Sequence, residues 1–596
     1  MSKTSRAAAL TAALTMVVTL AGCGGQNNNG GGNEPAATTA ATTAAAPAGE
    51  TEAAAPADTE AAAPAETEAA APAEPAATGE IKEFTAFFAV PGNEKDPGND
   101  IEEIIAQKIG ARCKETWLVG QTADEAIGVM VAGGEYPDFV DASTGSAQMI
   151  DAGACIPIDE YWDDYPNLKS FWTEEQWNSV RNEDGHIYII PQFGNRWMYD
   201  TETVHNDEAF WIQVRVLEWA GYPQIKTLDQ YFDVIERYIE ANPTMEDGTP
   251  NIGYEILSDD WRYFCLENAP FFLDGYPNDG CVIVDRDTHQ AIDYNTTPTA
   301  KRYFQKLNEE YQKGIIDPET FTMKYDQYIS KLSTGRVCGM VDQHWDFNDA
   351  EVSIKGQGLD ECTYVPLGLT IDEGIEEHYH SAPALDVSNG ISITTSCKDI
   401  PGALKFIDDL LSPEILTLRN WGVEGTDYIK GDDGLFYRDE TMRANANDQA
   451  YINKHMCPYS YFPNYGGMDH DGVNAASAQY QPKEFYDSLS EPVKKCFDAY
   501  GIETYVQFLN KSGVNEPWYP MWSYSNNLTT DTDEGLVWKT MADVKHEYLP
   551  KVVMAPDFDA AWDEYLGVYN DRCDIDVFLN AINNEIQRRI DVAEGR

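Results

Sequence analysis

The feature that most constrains the fold of this chain is an alternation of strand and helix patterns between residues 84 and 140. An apolar run at 84–90 predicts a buried strand, and isoleucines along one face predict a helix that ends at Gly110. A strand at 113–119, a helix at 123–132 and a strand at 137–140 follow. This order predicts an α/β fold whose parallel sheet carries helices on both faces and binds ligands beyond the carboxyl ends of its strands.

A second region of mixed helix and strand patterns follows, and it becomes looser beyond about residue 440. One of its helices begins with a capping box formed by Thr227 and Gln230. The predicted helices span 207–220, 227–240, 303–313, 401–411, 491–500 and 575–588, and the predicted strands span 336–341 and 392–395. Strands that alternate with helices predict a second α/β unit.

The N-terminus has the pattern of an export signal. Lys3 and Arg6 precede an apolar run at 7–20, which is too short to span a bilayer core of about 30 Å. The sequence Leu-Ala-Gly-Cys that ends at Cys23 resembles the lipobox of bacterial lipoproteins. That resemblance implies a signal peptide at 1–22 and a lipidated Cys23 that anchors the mature chain to the membrane. The alternative is an ordinary signal peptide with an incidental cysteine.

Residues 23–80 have the composition of a tether. A Gly/Asn/Gln segment is followed by three copies of an eight-residue Thr-Glu-Ala-Ala-Ala-Pro-Ala-(Asp/Glu) unit at 51–74. The regular prolines interrupt any helix, and Ala and Glu cannot form a core that offsets the entropy of ordering. We therefore expect a disordered spacer, followed by a folded region at 81–596.

Composition excludes several classes of protein. The formal net charge of −59 opposes binding to nucleic-acid phosphates. The cysteines after Cys23 form no CxxC pair, which argues against zinc ribbons and thioredoxin-like chemistry.

Catalytic and metal-binding motifs are also missing from the sequence. His546-Glu547 lacks the second histidine of a zinc-protease motif, because Pro550 occupies its position. No GxSxG motif and no phosphate-binding glycine loop occur. His378 and His380 could share a metal on a strand, but we interpret them as part of a solvated loop. The sequence thus predicts no catalytic residue, no metal site and no cofactor.

Six segments, in this order, carry a family resemblance. They are GGEYPDFVDAS at 133–143, IPIDEYWDDYPNLK at 156–169, GHIYIIPQ at 185–192, the helix-Pro-helix region at 211–238, the pair 313–321 and 332–346, and the region around WGVEGTDY at 421–428. Together they resemble the extracellular solute-binding proteins of ABC importers, in particular the large sugar-binding lipoproteins of Gram-positive bacteria, which are related to maltose-binding protein. The resemblance covers roughly 81–440.

The resemblance implies two α/β lobes joined by a hinge, in a periplasmic-binding-protein-like fold with an interlobe cleft. Lobe 1 would comprise about 81–192 and 385–435, and lobe 2 about 197–380 and part of 440–596. Three departures occur: Trp421 replaces a signature tyrosine, the usual Arg-x-Asp-Trp is missing at Arg215, and the loop at 242–251 lacks the family's acidic Asn-Gly pattern. The last departure leaves a calcium site there unsupported.

Sugars need aromatic rings for their apolar faces and planar polar side chains for their hydroxyls, since an unpaired buried hydroxyl costs about 1–3 kcal/mol. Aromatic residues that stand beside such polar residues at strand ends and lobe crossings are therefore the predicted ligand contacts. For each of them, the alternative is that the side chain packs in the core or in the hinge. The resemblance alone suggests the stacking role of Trp345 and the signature positions Trp421, Glu424 and Tyr428. The predicted ligand-binding residues are Gln192, Arg196, Trp197, Asp342, Trp345, Asp346, Trp421, Glu424, Tyr428 and Trp117.

Other tryptophans have different predicted roles. Trp261 beside Arg262 is a further candidate for the cleft. The tryptophans predicted to lie in the core are Trp162, Trp172, Trp177, Trp211 and Trp219.

The resemblance implies a lipid-anchored, monomeric and non-catalytic receptor on the extracellular face of the cell membrane. It would capture a carbohydrate, in particular an oligosaccharide, by hinge closure and deliver it to ABC permease subunits. Two alternatives remain: a receptor for a peptide or another small solute, and a surface glycoside hydrolase. Turnover would identify the hydrolase, and the ligand class that stabilises the protein would separate the two receptors.

Overall fold

The computed structural model describes residues 80–92, 94–182, 184–381, 390–511 and 516–594. They all belong to one unit, Glu74–Arg596. The predicted signal peptide at 1–22, Cys23 and all but the last residue of the predicted spacer lie outside the described residues.

The strands form two four-stranded sheets and several two-stranded pairs. They are β1 Lys82–Phe88, β2 Ala111–Trp117, β3 Phe139–Asp141, β4 Arg196–Trp197, β5 Glu208–Gln213, β6 Ile252–Glu255, β7 Ile283–Val284, β8 Ala291–Ile292, β9 Val337–Gln343, β10 Tyr364–Leu367, β11 Ile391–Ile393, β12 Ile429–Lys430, β13 Phe436–Tyr437 and β14 Gly466–Gly467.

Helices cover both sheets and dominate the C-terminal part of the chain. They are α1 Asp100–Ile109, α2 Ala123–Gly133, α3 Ser146–Asp151, α4 Pro166–Lys169, α5 Glu174–Ser179, α6 Val214–Ala220, α7 Leu228–Ala241, α8 Phe264–Glu267, α9 Ala269–Leu273, α10 Pro298–Lys313, α11 Tyr325–Ser333, α12 His344–Gly356, α13 Ile400–Leu410, α14 Pro413–Asn420, α15 Glu440–Ala446, α16 Gln449–His455, α17 Pro482–Ser488, α18 Glu491–Tyr500, α19 Trp522–Ser525, α20 Asp533–Met554, α21 Phe558–Arg572 and α22 Ile575–Ala593. None of these described helices combines the length and apolar character that crossing a bilayer requires.

The first sheet has the strand order β11-β3-β1-β2. Strand β1 pairs in parallel with β2 and β3, and β11 joins the edge of β3 in the antiparallel direction. Asn99 caps α1 through a hydrogen bond from the Glu102 amide, and Gly110 ends it in the left-handed conformation that leads into β2. The predicted βαβαβ order is confirmed.

The second sheet has the order β10-β5-β9-β6. Its central strands β5 and β9 are antiparallel, and β6 runs parallel to β9. Thr227 accepts a hydrogen bond from the Gln230 amide and begins α7 at the predicted position. Both sheets thus direct the carboxyl ends of several strands toward loops that can carry a site.

The predicted helix at 207–220 is wrong in its first half. Glu208–Gln213 is strand β5, and the helix begins only at Val214. All six residues of the strand are buried, so its sequence does not alternate between apolar and polar residues. A sequence pattern of this kind is easily mistaken for that of a buried helix. Glu208 tolerates burial because the amides of Asn268 and Asn278 donate to its carboxylate at 3.1 and 2.9 Å.

Each sheet has its own hydrophobic core. The first core includes Phe84, Phe139 and Ile391, together with Tyr459 and Phe462 from beyond residue 440. The second core surrounds β5 and β9 and extends through the buried faces of α18, α20, α21 and α22. The loosely patterned C-terminal region therefore contributes to both cores.

The predicted core tryptophans are confirmed with one exception. Trp162, Trp172, Trp177 and Trp211 are buried, whereas Trp219 is 42% exposed on α6. Its indole packs only edge-on against Tyr238, at 5.6 Å between ring centroids. The ten cysteines among the described residues are buried and free.

Candidate ligand-binding site

Aromatic rings gather at the carboxyl end of the first sheet. Phe88 and Trp117 are the last residues of the neighbouring strands β1 and β2, and their rings lie 4.8 Å apart. Tyr461 packs against both, at 5.1 and 5.2 Å. The half-exposed ring of Phe193 meets Tyr461 edge-on at 5.3 Å. These four rings form one wall of the candidate site.

Polar groups lie beside this wall at the end of β3. Gln192 Nε2 donates to Asp141 Oδ2 at 2.6 Å, and the Ser143 amide donates to Asp141 Oδ1 at 2.9 Å. Burial raises the pKa of the Asp141 carboxyl. Ser143 has a φ of 50°, a left-handed backbone that costs energy in a residue with a side chain. Such strain is typical of loops shaped for a ligand.

The second sheet supplies an aromatic pile of its own. Trp261 follows β6, and Trp345 lies in the first turn of α12, directly after β9; their rings are nearly parallel, with centroids 5.8 Å apart. The Arg262 guanidinium lies over the rings of Trp261 and Tyr325, at 4.3 and 3.8 Å. Arg262 Nε also donates to Asp346 Oδ1 at 2.7 Å. The site therefore combines exposed rings with a charged pair that is itself nearly buried.

Charges near the ends of both sheets act on the same titratable groups. Burial raises the pKa of the Tyr461 phenol, Asp141 and Asp346 raise it further, and Arg262 lowers it. Charged residues of both sheets therefore affect the pKa of Tyr461. Asp260, beside Trp261, likewise feels the negative charge of Asp124 on α2. The two carboxyl ends together are the candidate site.

A buried hydrogen-bonded network supports the pile from behind. Tyr328 Oη donates to Asp342 Oδ2 at 2.6 Å, and Cys265 Sγ lies 3.3 Å from Asp342 Oδ1. Burial and the neighbouring charge of Asp346 raise the pKa of Asp342. Ligand atoms of Cys265, Asp342 and Asp346 lie within 4.8 Å of one another, but Arg262 already neutralises Asp346 and opposes a metal cation.

The predicted site residues fall into two groups. Trp117 and Gln192 lie at the carboxyl end of the first sheet, and Trp345 and Asp346 lie beyond strand β9 of the second. Asp342 lies behind the aromatic pile, completely buried.

Residues of the predicted signature lie elsewhere. Trp421 is completely buried against Tyr428 and Phe436, and its indole Nε1 donates to the Ala475 carbonyl at 3.0 Å. This position favours the packing alternative over ligand contact. Glu424 is exposed on the turn before Tyr428.

Arg196 and Trp197 form the short strand β4, which pairs with β14. Trp197 stacks on His470 at 4.0 Å, and Arg196 is ion-paired with Asp200 at 3.7 Å. They line the chain crossing after the first sheet rather than the aromatic wall.

The interpretation of His378 and His380 as a solvated pair is wrong for His380. Its buried ring packs against His205, with the two Nδ1 atoms 3.4 Å apart. His378 Nδ1 instead contacts the Gly275 carbonyl at 2.7 Å. Both histidines line a separate cavity of about 170 Å³ that also contacts Arg286 and Trp518.

Sequence reasoning missed Tyr461 and the residue that positions its loop. Arg419 is buried, and its guanidinium donates to the carbonyls of Leu410, Pro458, Tyr459, Phe462 and Pro463 at 2.8–3.1 Å. Four of these carbonyls belong to the loop 458–463 that carries Tyr461. No local motif reveals this contact, because about forty residues separate Arg419 from the loop.

The fold and the facing surfaces define a two-lobed solute-binding protein. The family of bacterial extracellular solute-binding proteins matches residues 120–424, and the chain belongs to this family. The fructooligosaccharide ABC transporter substrate-binding protein FusA of Streptococcus pneumoniae is 25% identical over 56% of this chain, which spans 62% of that relative's length.

Two further comparisons extend the similarity. The polygalacturonan/rhamnogalacturonan-binding protein YtcQ of Bacillus subtilis is 21% identical, over 60% of this chain and 69% of that protein. A structure of S. pneumoniae FusA in complex with kestose has a TM-score of 0.61 at 17% identity, and the match covers 86% of this chain and all of that chain. This structural likeness shows the fold.

Proposed function

We propose that the protein is a non-catalytic receptor that captures an oligosaccharide between its two lobes and delivers it to ABC permease subunits. The observation that carries this proposal is the aromatic pile of Trp261 and Trp345 together with the partly exposed rings of the wall, Trp117, Phe193 and Tyr461. Aromatic faces at both sides of a cleft suit the apolar C–H faces of sugar rings, and the adjacent amide and carboxyl groups suit hydroxyls. The carbohydrate ligands in the names of FusA and YtcQ support the same class.

In this proposal, ligand contacts on both lobes stabilise the closed state, which the permease then recognises. The proposed ligand contacts are Trp345, Trp117, Gln192 and Asp346, joined by Trp261, Arg262 and Tyr461. The pile ends at Trp345, which is 42% exposed and offers a ring face to the ligand.

The proposed cellular context comes from the N-terminal sequence. Export and lipidation of Cys23 would hold a monomeric receptor at the extracellular face of the membrane, with 24–80 as a spacer. The membership in an extracellular family supports this location.

A thermal-shift screen tests the proposed ligand class. The purified protein is heated with oligosaccharides of three to five residues and, separately, with di- to pentapeptides. We expect at least one oligosaccharide to raise Tm by several degrees, because a ligand at about 100 times its Kd adds about 2.7 kcal/mol to stability. Stabilisation by peptides alone would replace this proposal with the peptide-receptor alternative, and shortened oligosaccharides recovered after incubation would indicate the hydrolase.

A further inference from the structure

We infer that the site selects neutral oligosaccharides and rejects those that carry uronic acids. The inference rests on the proposed function, since it specifies the class of saccharide. It follows from the charges of the residues that surround the aromatic wall and pile.

Every lysine and arginine in the described segments that form the site already has a carboxylate partner. The segments are 89–92, 94–97, 117–124, 141–146, 192–197, 256–263, 320–326, 343–346 and 458–463. The pairs are Lys95 with Glu102 and Glu115, Arg196 with Asp200, Arg262 with Asp346, and Lys324 with Asp259. A uronate would therefore meet no cation there that lacks a carboxylate of the protein beside it.

Arg262 is the cation best placed to meet a ligand, and it is doubly engaged. Its Nε is bonded to Asp346, and its guanidinium face lies over Trp261 and Tyr325. A ligand carboxylate at its two Nη atoms would share the guanidinium with Asp346, which is 2% exposed, and the two carboxylates would repel each other.

The same segments contain further carboxylates, two of which have neutral hydrogen-bond partners. Asp141 accepts hydrogen bonds from Gln192 and Ser143, and Asp124 accepts one from the Thr144 hydroxyl at 2.9 Å. Burial raises the pKa of Asp260, the charges of Asp259 and Asp124 raise it further, and those of Arg262 and Lys324 lower it. Negative charges thus crowd both sides of the site, and like charges across an interface oppose binding.

Neutral sugars suit the same groups. Carboxylates accept hydrogen bonds from hydroxyls, and charge-assisted bonds of this kind are stronger than neutral ones. The free face of the Trp345 ring can cover the apolar face of a sugar without involving any charge. The site therefore favours hydroxyl donors over anions.

A matched pair of ligands tests the inference. The first ligand is the neutral oligosaccharide that stabilises the protein most in a thermal-shift screen of neutral and uronic-acid oligosaccharides of equal length. The second is the same oligosaccharide with one primary hydroxyl oxidised to a carboxylate, prepared separately at each sugar. Kd is measured for each by calorimetry in low and high salt.

We expect the carboxylate to weaken binding by about tenfold or more at every sugar that the protein encloses, because each 1.4 kcal/mol of repulsion is a factor of ten. The neutral ligand should change its Kd by less than about twofold between about 0.05 and 0.5 M NaCl, since screening acts on charge–charge interactions. The loss caused by the carboxylate should shrink at high salt.

An oxidised ligand that binds more tightly than its neutral parent would overturn the inference and leave the proposed function standing. So would a uronic-acid oligosaccharide that stabilises the protein more than every neutral one. If no oligosaccharide of either kind binds, the proposed function fails, and this inference fails with it.

Discussion

Trp345 and Trp219 are two tryptophans of equal exposure, 42%, in different surroundings. Trp345 ends the aromatic pile, whereas Trp219 lies on α6 and contacts Tyr238 edge-on. Replacing Trp345 with Ala should weaken ligand binding by roughly 1–3 kcal/mol, or about 5- to 150-fold, by analogy with other ring-stacking contacts. Trp345→Phe should recover part of the loss.

Trp219→Ala is the matched control, and its Kd should equal that of the unchanged protein within about twofold. Calorimetry gives Kd and thermal unfolding gives stability for the same variants. If Trp345→Ala lost several kcal/mol of stability with an unchanged Kd, the residue would be part of the core, as is usual for buried tryptophans.

Arg419 tests how a buried charge shapes the site. Burial lowers the pKa of its guanidinium to about 10, yet its five carbonyl acceptors are all well placed. Arg419→Met should destabilise the protein by about 3 kcal/mol or more, because several buried carbonyls lose their donor. Ligand affinity should also fall, since the loop that carries Tyr461 loses its support.

The control for this variant is Arg237→Met on α7, where an exposed arginine pairs with Asp233. Exposed pairs contribute about 0–1 kcal/mol, so urea unfolding should barely change. Equal losses from the two variants would contradict a special role for Arg419.

At the scale of elements, His455 links α16 to α1. Its Nδ1 lies 2.9 Å from Asp100 Oδ2, and its Nε2 lies 3.0 Å from Asp427 Oδ2. Burial by itself lowers the pKa of His455, but hydrogen bonds to the two carboxylates outweigh it and raise the pKa. A raised pKa in the folded state means that the stabilisation is complete below the unfolded value of about 6.5 and is lost as pH rises through the folded value.

His455→Gln should therefore lower Tm more at about pH 6 than at about pH 9, where the unchanged protein has also lost the histidine charge. Thermal unfolding of the two proteins across this range measures the difference. A deficit that grows with pH would show that the carboxylates do not hold a charged histidine.

The first sheet could be predicted because its signals are local. Gly110 ends a helix through its own backbone, and the isoleucines of α1 lie within one short stretch of sequence. Strand β5 could not be predicted, since its burial depends on β9 and β10, which lie more than a hundred residues away. The helices α20 and α21 were missed because their apolar residues are interspersed with aromatic and acidic residues that weaken the pattern.

Prediction of the site residues from sequence was limited in the same way, because only local signals could be used. Trp345 and Gln192 could be identified as candidates because they follow strand-like segments and match a family pattern. Tyr461 depends on Arg419 and on contacts with β1 and β2, which no spacing rule connects. Trp421 occupies the position that the family motif predicts. Its burial against Phe436 and Tyr428 results from tertiary packing, which the motif alone does not reveal.

At the scale of the whole molecule, the predicted membrane attachment depends on a single residue, Cys23, which lies outside the described residues. Cys23→Ala should release the protein into the medium or leave the signal peptide uncleaved, because no lipid can be attached. Fractionation of cells with and without detergent measures this. Unchanged, detergent-dependent membrane association of the variant would contradict the predicted anchor.

Calorimetric titration with the stabilising oligosaccharide tests most directly the claim that this protein captures a sugar without transforming it. We predict one ligand per chain, with injection heats that fall to the heat of dilution at saturation and a baseline that stays flat. Both lobes contact the same ligand in this account, so a second site is not expected. A baseline that shifts with sustained heat would reveal turnover and contradict the account, as would the lack of binding heat with any oligosaccharide.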